Sequence, residues 1–265
     1  MKSAQISKYG GSEVVGITQN ATIPNMPAAG KILVYIKAAG VNPVDWKIRE
    51  GYFQQMMRLQ FPFTSGMDFS GIVKEIGEGV LDFKQGDEVY GQAGVATGGS
   101  GAFAEKAMAN AENISHKPKR LAKNLGAFVA TTASANDKVF VQELGADQVI
   151  DYKSQNFEDL LHDYDSVFDT VGGETYKRSF RVLKKGGIII SMLDQPNSEL
   201  MNQYNVKAIF QFTQADRERL TKLAQWVDQN NIRINVDRTF SLDEAGKALD
   251  YQKDVHPRGK VVLTM

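Results

Sequence analysis

The sequence predicts an α/β protein with a strand-rich N-terminal part and a doubly wound parallel sheet behind it. Two observations predict this. Up to about residue 115, apolar residues fall in strand-like runs punctuated by Gly, Asp and Asn. From about residue 121, runs too uniformly apolar for an exposed face alternate with short helical segments, as in a parallel sheet covered by helices. A length of 265 residues accommodates one large or two ordinary domains.

The clearest early strands are 31–40, 69–80 and 87–93. In the second, Ile72, Val73 and Ile76 lie among Lys74, Glu75 and Glu78, an imperfect alternation that suits a half-buried antiparallel strand, and the glycines at 71, 77 and 79 predict bends or a bulge. Later, 127–134 reads as a strand, 136–146 as a helix and 147–152 as a strand. The same order repeats at 166–173, 174–187 and 187–193, with one more strand at 205–213. Residues 216–230 form a helix whose stripe of Leu220, Leu223, Ala224 and Val227 is core packing. Strands at 234–240 and 259–265 flank a helix at 242–254 and are expected to return to the N-terminal domain.

Composition narrows the function classes. Lys+Arg and Asp+Glu both number 31, so no basic excess favours a nucleic acid or an anionic membrane. With no Cys, disulfides, thiolate metal sites and cysteine nucleophiles are excluded. His116, His162 and His256 are too far apart in sequence to suggest a metal site. The N-terminus lacks a signal-like apolar core, and a cytoplasmic location is expected.

Ligands of a doubly wound sheet sit beyond the carboxyl ends of its strands. At the first such end, Ser134 and Lys138 are candidates to hold an extra phosphate on an adenosine ribose. The hydroxyl-rich end favours NADP over NAD, Asp137 weakens that reading, and a helix cap by Ser134 and Asn136 fits equally well. Tyr152 either flanks the same pocket or is a plain strand-end aromatic. The next end places Asp169 and Thr170 before paired glycines, which allow close approach to a flat ligand or simply make a turn. In 41–51, an Asn-Pro step ends a strand and opens a helix-like turn carrying Asp45, Lys47 and Arg49. Asn42 is a candidate donor to a carbonyl and Lys47 a candidate cofactor contact; an ordinary capped turn is the alternative.

Together the segments KYGGSEVV, KAAGVNPVDWKIREG, GMDFSGIVKEIGEGVLDFKQGDEVYG, GAFAEKAMA, ELGADQVIDY, FDTVGG and HPRGKVVL resemble the zinc-free, zeta-crystallin-like quinone oxidoreductases of the medium-chain dehydrogenase/reductase superfamily. Asn42 and Met67 fall where zinc enzymes of that superfamily carry a ligand Cys and a ligand His, so no metal is expected. The resemblance implies a GroES-like catalytic domain at 1–118, a Rossmann-like nucleotide domain at 119–232 and a return to the catalytic domain at 233–265. It implies NADPH-dependent reduction of quinones or activated enones; an alkenal reductase of the same fold and a non-catalytic member are the alternatives. By position, Asn42 with Asp45 and Lys47 would lie at the substrate carbonyl, with Tyr52 as a pocket aromatic. Ser134, Lys138 and Tyr152 would surround the 2′-phosphate; Thr170, Val171, Phe210 and Phe212 would line the nicotinamide; Arg258 and Gly259 would lie near the cofactor. The resemblance also allows a homodimer through the edge strand at 205–213, and the sequence leaves the oligomeric state open.

The sequence departs from that pattern at one place. Between ISHKPK and LAKNLGA the family should carry a helix, the first Rossmann strand and a glycine-rich turn, and none is present. GVATGGSGAF at 94–103 is glycine-rich but belongs to the N-terminal domain. Either the numbering closes over a segment that the protein possesses, or the protein is a true deletion. Loss of a central strand would deprive its neighbours of pairing and the pyrophosphate of its helix N-terminus, which favours the first account.

Overall fold

A computed structural model describes residues 1–24, 27–116, 128–211, 215–230, 234–255 and 257–265. Within the N-terminal part, apolar alternation and turn glycines produce β1 (Ser3–Ile6), β2 (Val15–Thr18), β3 (Lys31–Val41), α1 (Pro43–Arg49), β4 (Phe63–Thr64), β5 (Asp68–Ile76), β6 (Glu88–Gln92), β7 (Lys106–Asn110) and β8 (Ile114–His116). There follow β9 (Ala130–Ala133), α2 (Lys138–Glu143), β10 (Gln148–Asp151), β11 (Tyr164–Asp169), α3 (Gly173–Ser179), β12 (Leu183–Ser191), α4 (Ser198–Tyr204) and β13 (Lys207–Phe210). The chain closes with α5 (Arg217–Asn230), β14 (Val236–Ser241), α6 (Ala245–Asp254) and β15 (Lys260–Thr264). Residues Met1–Asn124 with Ala215–Met265 form one compact unit and Leu125–Gln214 a second.

In the first unit a seven-stranded sheet runs β14-β15-β3-β5-β6-β8, with β7 also paired to β3, beside a small sheet β2-β1-β4. β3 organises the larger sheet because Ile32, Val34 and Ile36 are buried on a strand long enough to pair with β5, β7 and β15. The expected bulge is present: the β3–β5 register shifts twice. At Gly71 a Cβ would stand 2.2 Å from the Tyr35 carbonyl oxygen, so only glycine lets the two backbones approach this closely. The expected return is equally clear in β15, antiparallel to β3 from Val261↔Val41 to Thr264↔Ala38.

The second unit carries parallel strands, as predicted, in two pieces: β10-β9 and β11-β12-β13. Buried Tyr176, Phe180 and Ile189 form one core, and Ile150, Phe157, Leu161 and Val182 a second against which Ala130, Tyr164 and Val167 pack. This second core joins the two pieces.

Three expectations need correction. The helix foreseen at 174–187 ends at Ser179 and passes through a 3₁₀ turn into β12 at Leu183, because Val182 and Leu183 are drawn into the core before the glycine pair is reached. α5, expected in the nucleotide domain at 119–232, groups with the first unit. Tyr90 Oη donates to the Leu220 carbonyl at 2.8 Å, the Ser115 and Thr221 hydroxyls lie 3.0 Å apart, and Arg217 donates to the Ala111 carbonyl. On that helix Ala224 and Val227 are buried, but Leu223 of the foreseen stripe is exposed.

Candidate functional site

In the first unit, four neighbouring strands bring polar side chains to one end of the sheet. Register puts Gly40 opposite Asp68, Asp68 opposite Gln92 and Val41 opposite Val261. Asn42 follows β3, Asp68 opens β5, Gln92 closes β6 and Lys260 opens β15. The Asn42 carboxamide is held at both ends: Lys260 Nζ donates to Oδ1 at 2.6 Å, and Nδ2 donates to Asp68 Oδ2 at 2.8 Å. Gln92 Nε2 donates to the other Asp68 oxygen at 3.2 Å. The amide is thereby oriented with nitrogen and oxygen distinguished, and one Nδ2 hydrogen remains for a ligand.

α1 begins here for local reasons. Pro43 stands at the first helical position, the Asp45 carboxylate accepts the Asn42 N–H at 2.8 Å, and Gly51 with φ +84° follows the last turn. Asp45 is thus the reciprocal half of a helix cap. It is buried, and its second oxygen has no hydrogen-bond partner in the structure. Burial pushes its carboxyl up to about 7; the Asn42 N–H opposes the shift, the Asp68 charge adds to it and the Lys260 charge opposes it. Asp45 and the likewise unpartnered Ser65 hydroxyl line a small pocket with Ile48, Phe63 and Met67.

The remaining predicted residues of this unit go elsewhere. Lys47 Nζ lies over the Trp46 ring at 5.6 Å, and Tyr52, 66 % exposed, meets the same ring edge-on. Arg258 and Gly259 form the turn into β15. The Arg258 N–H donates to Asp237 at 3.0 Å, and a Cβ on Gly259 would stand 2.3 Å from the Asn235 carbonyl oxygen. That turn delivers Lys260 to Asn42.

In the second unit, Ser134, Tyr152, Thr170, Val171 and Phe210 all stand at the carboxyl ends of parallel strands. Ser134 Oγ donates to Asp137 Oδ2 at 2.5 Å instead of capping backbone. Lys138 and Tyr152 are exposed near it, with the Tyr152 N–H bonded to the Ala133 carbonyl. Thr170 and Val171 are exposed on a turn stapled by buried Asp169, whose carboxylate accepts the Val171 and Gly172 N–H groups and the Ser191 hydroxyl at 2.6 Å. Gly172 and Gly173 both have positive φ, so the paired glycines are demanded by the turn itself. Phe212 lies outside the described residues, as does His256.

The group implied by the resemblance is a dinucleotide, and the chain meets it unevenly. The adenosine end has Ser134 and Lys138, but the Ser134 proton is directed at the Asp137 carboxylate. For the pyrophosphate, the sequence before β9 carries no glycine-rich turn, and its residues 117–127 lie outside the described residues. The residues present do not fit that part of the cofactor. No cluster of three or more His, Cys, Asp or Glu able to hold a metal occurs among the described residues.

Sequence reasoning missed Asp68, Gln92 and Lys260. Asp68 and Lys260 were inside quoted motifs, but no local spacing joins residues that only strand register brings together.

Residues 28–119 match the alcohol dehydrogenase GroES-like domain, and 144–263 match a family described as zinc-binding dehydrogenase. A mitochondrial NAD(P)H oxidoreductase of Bos taurus is 28% identical, with 98% of this chain and 88% of the relative covered. The chloroplastic NADPH-dependent alkenal/one oxidoreductase of Arabidopsis thaliana is 27% identical, covering 99% of this chain and 79% of the relative. The quinone oxidoreductase structure from Coxiella burnetii superposes with a TM-score of 0.86 at 26% identity, covering 100% of this chain and 99% of that one. The bovine alignment runs over 350 positions against 265 residues in this chain, leaving at least 85 positions without a residue here.

Proposed function

The chain is a quinone-oxidoreductase-like member of the medium-chain dehydrogenase/reductase superfamily, and on that premise we propose that it reduces quinones or activated enones with NADPH as donor. One observation carries the acceptor side: a carboxamide fixed at both ends by Lys260 and Asp68, with one N–H left over. A carbonyl oxygen placed on that N–H gains a preoriented donor for the negative charge that builds on it during reduction. Asp68 and Gln92 hold the nitrogen side of Asn42, Lys260 holds the oxygen side, and Asp45 fixes the turn from which Asn42 projects. The relatives named as NAD(P)H oxidoreductases and alkenal/one reductases support the reaction class, and the hydroxyl-rich end of β9 supports the phosphate-bearing nucleotide.

The test is NADPH consumption with a panel of quinones and short enals. Acceptor-dependent turnover is expected, with the panel separating quinone from alkenal reduction. Asn42→Ala should lower kcat on the order of 10²-fold, as loss of one oriented oxyanion donor does. The missing pyrophosphate turn favours a second reading, a member that binds without catalysis. NADPH binding with no turnover on any acceptor would establish that reading and overturn the first.

A further inference from the structure

Two polar side chains of the first unit are buried without a hydrogen-bond partner, and both line one pocket. Asp45 is 2 % exposed with one carboxyl oxygen unpaired, and Ser65 is 3 % exposed with its hydroxyl unpaired. Buried polar groups of native proteins find partners as a rule, so this pair calls for an acceptor. Met67 lines the same pocket. Its thioether accepts only weakly, but oxidation would give it a polar oxygen. We propose that Met67 is a modification site, oxidised by a peroxide to a sulfoxide whose oxygen accepts from the Ser65 hydroxyl and the Asp45 carboxyl.

The pocket is shaped for a single added atom. Its cavity of about 20 Å³ has room for one water-sized group. Gly94 forms part of the wall, and a Cβ there would stand 3.1 Å from Met67 Cγ, so the thioether already lies against that side. The chain between the two groups is fixed. The Ser65, Gly66 and Met67 carbonyls accept the Phe103, Ala102 and Ala93 N–H groups at 2.9, 3.0 and 2.8 Å. Hydroxyl and thioether therefore project from one immobilised stretch. Met67 is half-buried, open enough for a small oxidant, while both donors are buried. On the carboxyl side, Asp45 is pushed up to about 7 by its burial, so below that pH the oxygen not engaged by the Asn42 N–H has a proton to donate.

Exposure alone does not single out Met67. Met56 is 87 % exposed, and Met57 lines the pocket from the loop after α1. Met67 differs in standing two residues from Ser65 on the fixed stretch. In the step itself an S–O bond forms and the peroxide O–O bond breaks. Sulfur loses two electrons, the peroxide is reduced to water, and the hydrogen of the transferred oxygen goes to the departing hydroxide. The proposal does not rest on the reductase reading, because it is measured on the chain without nucleotide or acceptor.

The test treats the full chain with hydrogen peroxide at about pH 6, below the raised Asp45 value. Peptide mass spectrometry should find a sulfoxide at Met67 in protein that stays folded. Urea unfolding followed by tryptophan fluorescence should show a loss of stability on treatment that is about tenfold smaller, as an equilibrium constant, than in Ser65→Ala treated alike; the other methionines oxidise in both and cancel. Met67→Gln places a carboxamide oxygen at this position without an oxidant. Ser65→Ala should be neutral or stabilising in the natural background, where the hydroxyl has no partner. In the Met67→Gln background it should raise the unfolding constant about tenfold, the size of one hydrogen bond. If Met67→Gln does not fold, the peroxide comparison decides alone. Three results overturn the proposal: Met67 remaining reduced in the folded protein, equal losses on treatment with and without the Ser65 hydroxyl, or Ser65→Ala equally destabilising in both backgrounds, as an ordered water already bound to the hydroxyl would make it.

Discussion

Replacing Asp45 with asparagine tests the architecture around Asn42 through its pH dependence. The Asp45 carboxyl is 2 % exposed, and its folded-state value is raised from 3.8 to about 7. An acid whose folded value is raised binds its proton more tightly in the folded state. Its contribution is therefore present in full below the unfolded value and is lost as pH rises towards the folded one. A gap of about three units is worth about 4 kcal/mol at 1.36 kcal/mol per unit, spread over roughly pH 4 to 7. An asparagine carboxamide does not titrate, so the stability of the natural protein minus that of Asp45→Asn should fall by about 1.4 kcal/mol per pH unit across this window and level off above it. Urea unfolding followed by tryptophan fluorescence reports the right region, because both tryptophans, Trp46 and Trp226, lie in the first unit. Other carboxylates titrate in both proteins and cancel in the difference. Parallel stability curves across that range would refute the burial and orphaned oxygen on which the reasoning depends.

Other outcomes follow from neighbouring contacts. Lys260→Met frees the Asn42 oxygen and should lower acceptor turnover by about tenfold, the size of one charge-assisted hydrogen bond, with the urea midpoint little changed. Gly71→Ala drives a Cβ to 2.2 Å from the Tyr35 oxygen and should cost roughly 1–3 kcal/mol in the same fluorescence-detected unfolding. Phe180, fully buried with Tyr176 edge-on at 5.1 Å, should cost about 3–5 kcal/mol as Phe180→Ala. Both tryptophans lie outside its unit, so circular dichroism or hydrogen exchange of β11 to β13 is the measurement for that variant.

Much of the fold was legible in local signals. The Asn-Pro step, Asp45 and Gly51 announce α1; the apolar runs announce β10, β11 and β12; the closing GKVVL announces β15. Boundaries were less legible where the core overrode local preference, as at Leu183, where a strand begins inside a stretch of helix-forming residues. The strand-end positions Ser134, Tyr152, Thr170 and Val171 were legible because a doubly wound sheet always offers its carboxyl ends. Lys47 and Tyr52 both lie against Trp46, the one by a cation–π contact and the other edge-on, and no sequence spacing encodes that placement.

By itself the sequence determined the fold class, the parallel sheet, the return of the C-terminal strand and the absence of a glycine-rich turn after the first domain. These are short-range patterns of polarity and turn chemistry, written along the chain. Tertiary structure alone decided that Asp68, Gln92 and Lys260 converge on Asn42, because register between strands far apart in sequence sets that meeting. It also decided what the missing turn means physically. Among the described residues β9 pairs with β10 alone and β11 with β12 alone, so the two parallel pieces are joined by side-chain packing and not by a shared ladder.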